Sequence, residues 1–159
     1  MTDIREFQDA DIGVLRRLIF ETIDVSYAPV YPPRAIEFFK RFHAEAEIRA
    51  RGRDGTTLVV EDDGALIATG SLVGDEILAV FVRPGVQRGG YGKALMQALE
   101  ARACANGVTA CTLSISLPSL EFYQGLGYEI LEERARDLGD GQRLDFWKAR
   151  KSLTPAAAG

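Results

Sequence analysis

The stretch Glu76 to Cys104, EILAVFVRPGVQRGGYGKALMQALEARAC, constrains the fold of this chain more than any other. Its first part, Ile77 to Val82, is an almost unbroken apolar run of β-favouring residues, as in a strand covered on both faces. Arg83-Pro84-Gly85 ends the ladder, because proline has no N–H to donate and glycine suits a turn. From Lys93 the composition turns to strong helix formers, with Gly92, Leu95, Met96, Leu99 and Ala103 on one helical face. Between strand and helix lies Gln87-Arg88-Gly89-Gly90-Tyr91-Gly92. Glycine weakens a helix by roughly 1 kcal/mol relative to alanine, so a cluster where a helix starts asks for a reason. A backbone without side chains admits an anion closely, and the free N–H groups and positive dipole end of the helix bind it.

Two familiar phosphate cradles do not fit. Lys93 is followed by Ala94, so the hydroxyl that a Walker A loop places on magnesium is missing. The dinucleotide fingerprint requires different glycine spacing and an acid at the end of the next strand, and Thr109 to Ile115 carries none. What remains is Gln-x-x-Gly-x-Gly (Gln87 to Gly92) after Val-x-Pro (Val82-Arg83-Pro84). This resembles the acetyl-coenzyme A signature of the GNAT superfamily of N-acetyltransferases. The resemblance implies that Gln87, Arg88, Gly89, Gly90, Tyr91, Gly92 and Lys93 hold the coenzyme pyrophosphate. It also implies that the strand backbone at Val80, Phe81 and Val82 meets the acetyl end. The bland alternative is a glycine-rich turn with no ligand.

With 159 residues the chain is expected to form one domain that buries about two-thirds of its unfolded surface. A net charge of −4 argues against a nucleic-acid surface, though not against a local basic pocket. Cys104, Cys111 and the single His43 are too few for a disulfide framework or a metal site, so no metal is expected. The charged start MTDIREFQDADIG has no apolar stretch of signal-peptide length, and no run approaches a membrane span. The expected location is the cytoplasm.

In chain order, Thr2 to Phe7 reads as an edge strand and Ile12 to Ile23 as a helix with a broad apolar face. A proline- and tyrosine-rich loop, Asp24 to Pro33, leads to a second helix from about Arg34 toward Ala50. Arg51 to Gly55 reads as a turn cluster, with Arg51 and Arg53 solvated; the alternative is that they reach the coenzyme's phosphates. Thr56 to Glu61 and Ala65 to Val73 form a hairpin around Asp62-Asp63-Gly64. After the long helix come a strand (Thr109 to Ile115), a short helix (Leu120 to Gly125) and two closing strands. Those are Tyr128 to Glu133 and Arg143 to Ala149, joined by a polar segment from Arg134 to Gln142. The order β-α-α-β-β-β-α-β-α-β-β predicts an α/β fold with a mixed, mostly antiparallel central sheet flanked by helices. It matches the GNAT fold along nearly the whole chain. The expected domain spans residues 1–151, with 152–159 a flexible tail.

A second stretch, Phe122-Tyr123-Gln124-Gly125-Leu126-Gly127-Tyr128, resembles the family segment whose tyrosine protonates the departing coenzyme A thiolate. Tyr123 takes that role by resemblance; the alternative is an amphipathic core residue. Glu76, at the start of the central strand, matches the place of the glutamate base in the histone acetyltransferases of the superfamily. An exposed strand-end charge is the plain alternative. Glu21, Asp24 and a relayed water compete for the base role. The resemblance puts the acceptor under the Asp24 to Pro33 loop, where Tyr27 and Tyr31 either line the site or pack the helices. Ser116 falls where many relatives carry an asparagine that touches the pantetheine arm. His43 and the cysteines read as ordinary helix and strand residues.

The expected activity is transfer of the acetyl group of acetyl-CoA, as co-substrate, to a primary amine of a small molecule or peptide by direct attack. A non-catalytic acyl-CoA-binding or sensing module is the alternative. No nucleic-acid or membrane partner is expected, and the resemblance admits a homodimer.

Overall fold

The computed structural model describes residues 2–154. Seven strands form one sheet: β1 (Thr2–Glu6), β2 (Thr56–Asp62), β3 (Ala65–Val73), β4 (Glu76–Val82), β5 (Ala110–Ser116), β6 (Glu129–Asp137) and β7 (Arg143–Ser152). Five helices flank it: α1 (Ile12–Thr22), α2 (Pro33–Phe42), α3 (Glu45–Asp54), α4 (Tyr91–Ala105) and α5 (Leu120–Gly125). The strand order is β1-β2-β3-β4-β5-β7-β6. Every neighbouring pair is antiparallel except β4 and β5. The expected mixed, mostly antiparallel α/β architecture is therefore what the chain adopts.

Each sheet face has its own core. On one, α4 lays Leu95, Met96, Leu99 and Ala103 against Val60, Ile77 and Leu113. This is the apolar helix face that the three- and four-residue spacing predicts. On the other, α1 and its neighbours set Leu15, Ile19 and Ile23 against Val59, Phe81 and Leu144. The β2–β3 hairpin turns on Asp63 (φ 50°) and Gly64 (φ 83°), the pair of positive angles that a two-residue primed turn requires.

Three expectations are corrected. The second helix is two helices, broken at His43-Ala44, and Arg51 to Asp54 belongs to α3 rather than to a turn. Arg51 is accordingly buried, not solvated. Across the break, α2 turns Ala35 and, in part, Phe38 and Phe39 toward the same core that α3 enters with Ile48. β6 continues to Asp137, so the polar stretch from Arg134 is mostly strand and only residues 138–142 connect to β7. Ladder pairs such as Arg134↔Phe146 and Arg136↔Leu144 hold that polar segment extended. Ser152, the first residue of the expected tail, closes β7, and residues 155–159 lie outside the described residues.

Candidate active site

The site originates in a break in the sheet. β4 and β5 share one ladder pair, Glu76↔Thr112, supported by the Thr112 N–H donating to the Asp75 carbonyl at 3.0 Å. Beyond it the two strands share no register partner, so the backbone of β4 toward Val82 is free on the side that faces β5. A bulge sharpens the effect. Thr69 pairs with Phe81 and Ser71 with Leu78, so Gly70 alone opposes Ala79 and Val80. Ala79 takes φ 56°, a conformation that costs an L-residue about 1–2 kcal/mol. Gly70 is required opposite, because a Cβ there would lie 2.9 Å from the Leu99 side chain.

Beyond β4, the loop folds back on itself: the Val86 N–H donates to the Arg83 carbonyl at 3.2 Å and the Gly89 N–H to the Val86 carbonyl at 3.3 Å. The Gln87 side-chain amide donates to the Val82 carbonyl at 3.0 Å and ties the loop to the strand end. Arg88 (φ 78°) and Gly90 (φ 83°) both adopt left-handed backbone, and Gly90 is the N-cap of α4. The glycines thus divide their roles. Gly90 is open, with nothing within 4 Å of a would-be Cβ. Gly92 instead lets α4 approach the sheet, because a Cβ there would meet Phe122 at 3.1 Å and Val82 at 3.3 Å. A Cβ on Gly89 would lie 2.6 Å from the Tyr91 ring. The first-turn N–H groups of α4 have no intrahelical acceptors, the general arrangement that favours negative charge at a helix start.

Two cavities open from the splay. One, of about 540 Å³, runs from Val80, Phe81 and Val82 to Gln87, Arg88, Gly90, Gly92 and Lys93. Eight of the ten expected coenzyme residues of strand and loop line it; Gly89 and Tyr91 do not. The other, of about 350 Å³, lies at the opposite end of β4 and takes in Glu76, Ser116 and His43. Ser116 therefore sits on this second side. Its hydroxyl donates to Tyr27 at 3.0 Å and lies 3.0 Å from that of Ser119. The cavities share Tyr27, Val80, Phe81, Ser119 and Tyr123, so whatever fills one meets whatever fills the other there.

Tyr123 is the central side chain at that junction. It is 7% exposed and its hydroxyl has no hydrogen-bond partner among the described residues. Burial pushes its pKa up, with a smaller contribution from Tyr27, so it stays protonated at working pH. Glu76 lines the second cavity with its carboxylate 4.0 Å from the Lys148 ammonium. Its competitors lie elsewhere: Asp24 pairs with Lys40 at 2.7 Å, and Glu21 shares a separate surface recess with it. Of the two loop tyrosines, Tyr27 lines both cavities from a π-helical turn, Ile23–Tyr27. Tyr31 lines neither: it donates to the Asp145 carbonyl and accepts from the Leu117 N–H, both at 2.8 Å, which fixes the loop to the sheet. Burial pushes the Cys111 thiol up to about 11, so it is a poor nucleophile, and neither cysteine lines either cavity.

Sequence reasoning missed His43, Arg134, Arg136 and Lys148, all in the second cavity. For the arginines a signal existed, the i, i+2 spacing of a strand, hidden by ending the strand at Glu133. His43 had no such signal. Its Nδ1 lies 3.1 Å from the Arg51 guanidinium, and arginine only donates, so Nδ1 accepts and the proton sits on Nε2. Burial, reinforced by the Arg51 charge, pushes the His43 pKa down to about 3, making it too weak a base to strip an ammonium. The neutral form is favoured by folding, so its stability contribution is complete above about 6.5 and is lost as pH falls toward 3. Urea titrations from pH 7 to 5 should show declining stability on the order of 1–2 kcal/mol, at roughly 1.4 kcal/mol per pH unit. His43→Gln should flatten that slope, and an unchanged slope would assign the loss to other groups.

A splayed strand pair, a glycine-capped helix start and two cavities that meet at a buried phenol thus lie together around β4. The chain belongs to the acetyltransferase (GNAT) family, whose model matches residues 19–128. Among solved structures, it is similar to a GCN5-related N-acetyltransferase from Rhodopseudomonas palustris. That likeness has 26% identity and a TM-score of 0.86, with 96% of each chain covered. It also shares its fold with the PaiA N-acetyltransferase of Thermoplasma acidophilum, solved in complex with coenzyme A. There identity is 20% and the TM-score 0.77, over 96% of this chain and 99% of that one. A third is YncA of Salmonella typhimurium, a putative acetyltransferase solved with acetyl-CoA, at 21% identity and a TM-score of 0.71. It covers 99% of this chain and 96% of its own. No curated protein matches the sequence significantly.

Proposed function

We propose that this chain transfers the acetyl group of acetyl-CoA to a primary amine by direct attack, with no acyl-enzyme. The observation that carries the reading is the meeting of the two cavities at Phe81 and Tyr123, one lined by Arg88, Lys93 and the glycines at the start of α4 and one bearing a carboxylate. The residues present fit the coenzyme. In this reading Arg88, Lys93 and the α4 N-terminus meet its phosphates, and the unpaired edge of β4 meets its extended amide arm. Family membership and the coenzyme-bound neighbours support the same assignment.

In this reading the backbone N–H groups near Phe81 polarise the acetyl carbonyl. Glu76, directly or through water, takes the proton from the amine. The new N–C bond forms as the C–S bond breaks, and the Tyr123 hydroxyl donates to the leaving thiolate. The test is thiol release from acetyl-CoA across a panel of amines, with the acetylated product weighed by mass spectrometry. Release that depends on an amine is expected. Coenzyme binding with no amine-dependent release would leave a non-catalytic acyl-CoA-binding module.

Glu76→Gln isolates the base. The amide has nearly the same size and does not ionise, so packing at the start of β4 persists. Turnover at neutral pH should drop, the acidic limb of the pH–rate profile should disappear, and higher pH should partly restore the rate. Superimposable profiles for variant and wild type would remove Glu76 from the mechanism.

A further inference from the structure

The second cavity is positively charged inside a chain whose net charge is −4. Arg134, Arg136 and Lys148 line it against one carboxylate, Glu76. Strand alternation delivers them together. Leu144, Phe146 and Lys148 follow at every second residue of β7, and face Arg136, Arg134 and Glu132 across the ladder. Two of the cations are already engaged. Arg134 is hydrogen-bonded to Glu132, while Lys148 donates to Ser114 at 3.0 Å and lies 4.0 Å from Glu76. Arg136 has no carboxylate partner among the described residues, and its guanidinium lies 4.7 Å over the Phe38 ring. Stacked in this way the fork is oriented, and its free donors suit two oxygens of one carboxylate. Part of the remaining wall is aromatic: Phe38 and Phe42 stack at 6.1 Å and 8°, with Phe39 and Phe146 also lining the cavity. A volume of about 350 Å³ is at the small end for a ligand pocket and suits one amino-acid-sized molecule.

We infer that the acceptor is an amine of the amino-acid class, with a carboxylate held by Arg136 and a large apolar or aromatic side chain against the phenylalanines. Its amino group then lies toward Glu76 and Tyr123. The reaction forms the amide N–C bond and breaks the thioester C–S bond; the amine gives up one proton and the thiolate takes one, yielding an N-acyl amino acid. This inference rests on the acetyltransferase reading above. Because Arg136 is on the cavity rim, where water screens charge, its contribution to affinity is expected to be about tenfold.

Binding can be tested without turnover. In calorimetry with coenzyme A present, N-acetyl-L-phenylalanine should bind at least about tenfold more tightly than N-acetylphenethylamine, which differs by the carboxylate alone. The preference should shrink with added salt, vanish in Arg136→Gln and survive in part in Arg136→Lys. Equal affinities, no binding of either compound, or a preference unaltered in Arg136→Gln would each overturn the inference. Transfer from acetyl-CoA to phenylalanine and to phenethylamine is measured separately. Transfer to both without the binding preference leaves the activity standing and removes this acceptor class. The preference without transfer to either keeps the pocket and removes the activity.

Discussion

Gly90→Glu should reduce coenzyme A affinity by about a hundredfold or more while the protein still folds. Gly90 lines the loop-side cavity, and a Cβ there meets nothing within 4 Å, so the new side chain projects into open space rather than into the core. Two effects follow. At φ 83° the glutamate strains the backbone by about 1–2 kcal/mol. Its carboxylate also sits where phosphate is expected, and like charges in contact cost several kcal/mol of affinity. Calorimetric titration with coenzyme A, beside a thermal melt, separates the two. Gly90→Ala serves as the control for strain alone. Undiminished affinity in Gly90→Glu would place the pyrophosphate elsewhere. Gly92 is unsuitable for this test, because its missing side chain accommodates Phe122 and Val82 and any substituent there disturbs packing as well.

The second large effect belongs to Tyr123. Removing its hydroxyl in Tyr123→Phe should lower kcat on the order of 10²–10⁴-fold, the range for a positioned general acid. Coenzyme affinity should hardly change, the pattern of an interaction made only in the transition state. Stability should hold too, since the phenol ring packs edge-on against Phe122 and Tyr128 while its hydroxyl has no partner to lose. Rapid-mixing measurement of thiol release with a good acceptor checks this. A loss below about threefold would return Tyr123 to a packing role.

Much of this was legible in the residues. The run from Ile77 to Val82, the Pro84-Gly85 stop, the glycine cluster and the apolar face of α4 determine strand, turn and helix locally. Periodicity and turn chemistry act over a few residues and are written in them. The Asp63-Gly64 hairpin is of the same kind. Tertiary structure decided what depends on pairing at long range. Ala79 has a side chain and sits in a strand, so nothing local announces its left-handed backbone; the register with β3 across Gly70 imposes it. The single Glu76↔Thr112 pair that lets β4 and β5 part is likewise a property of two strands, not of either sequence. Arg134 and Arg136 read as loop because their segment is polar. Only the ladder to β7 extends it, which puts both on the second cavity and lays Arg136 over Phe38 of α2, a helix about a hundred residues away in the chain. His43 became a buried, neutral donor because α3 brought Arg51 beside it, where burial and a neighbouring positive charge both oppose its protonation.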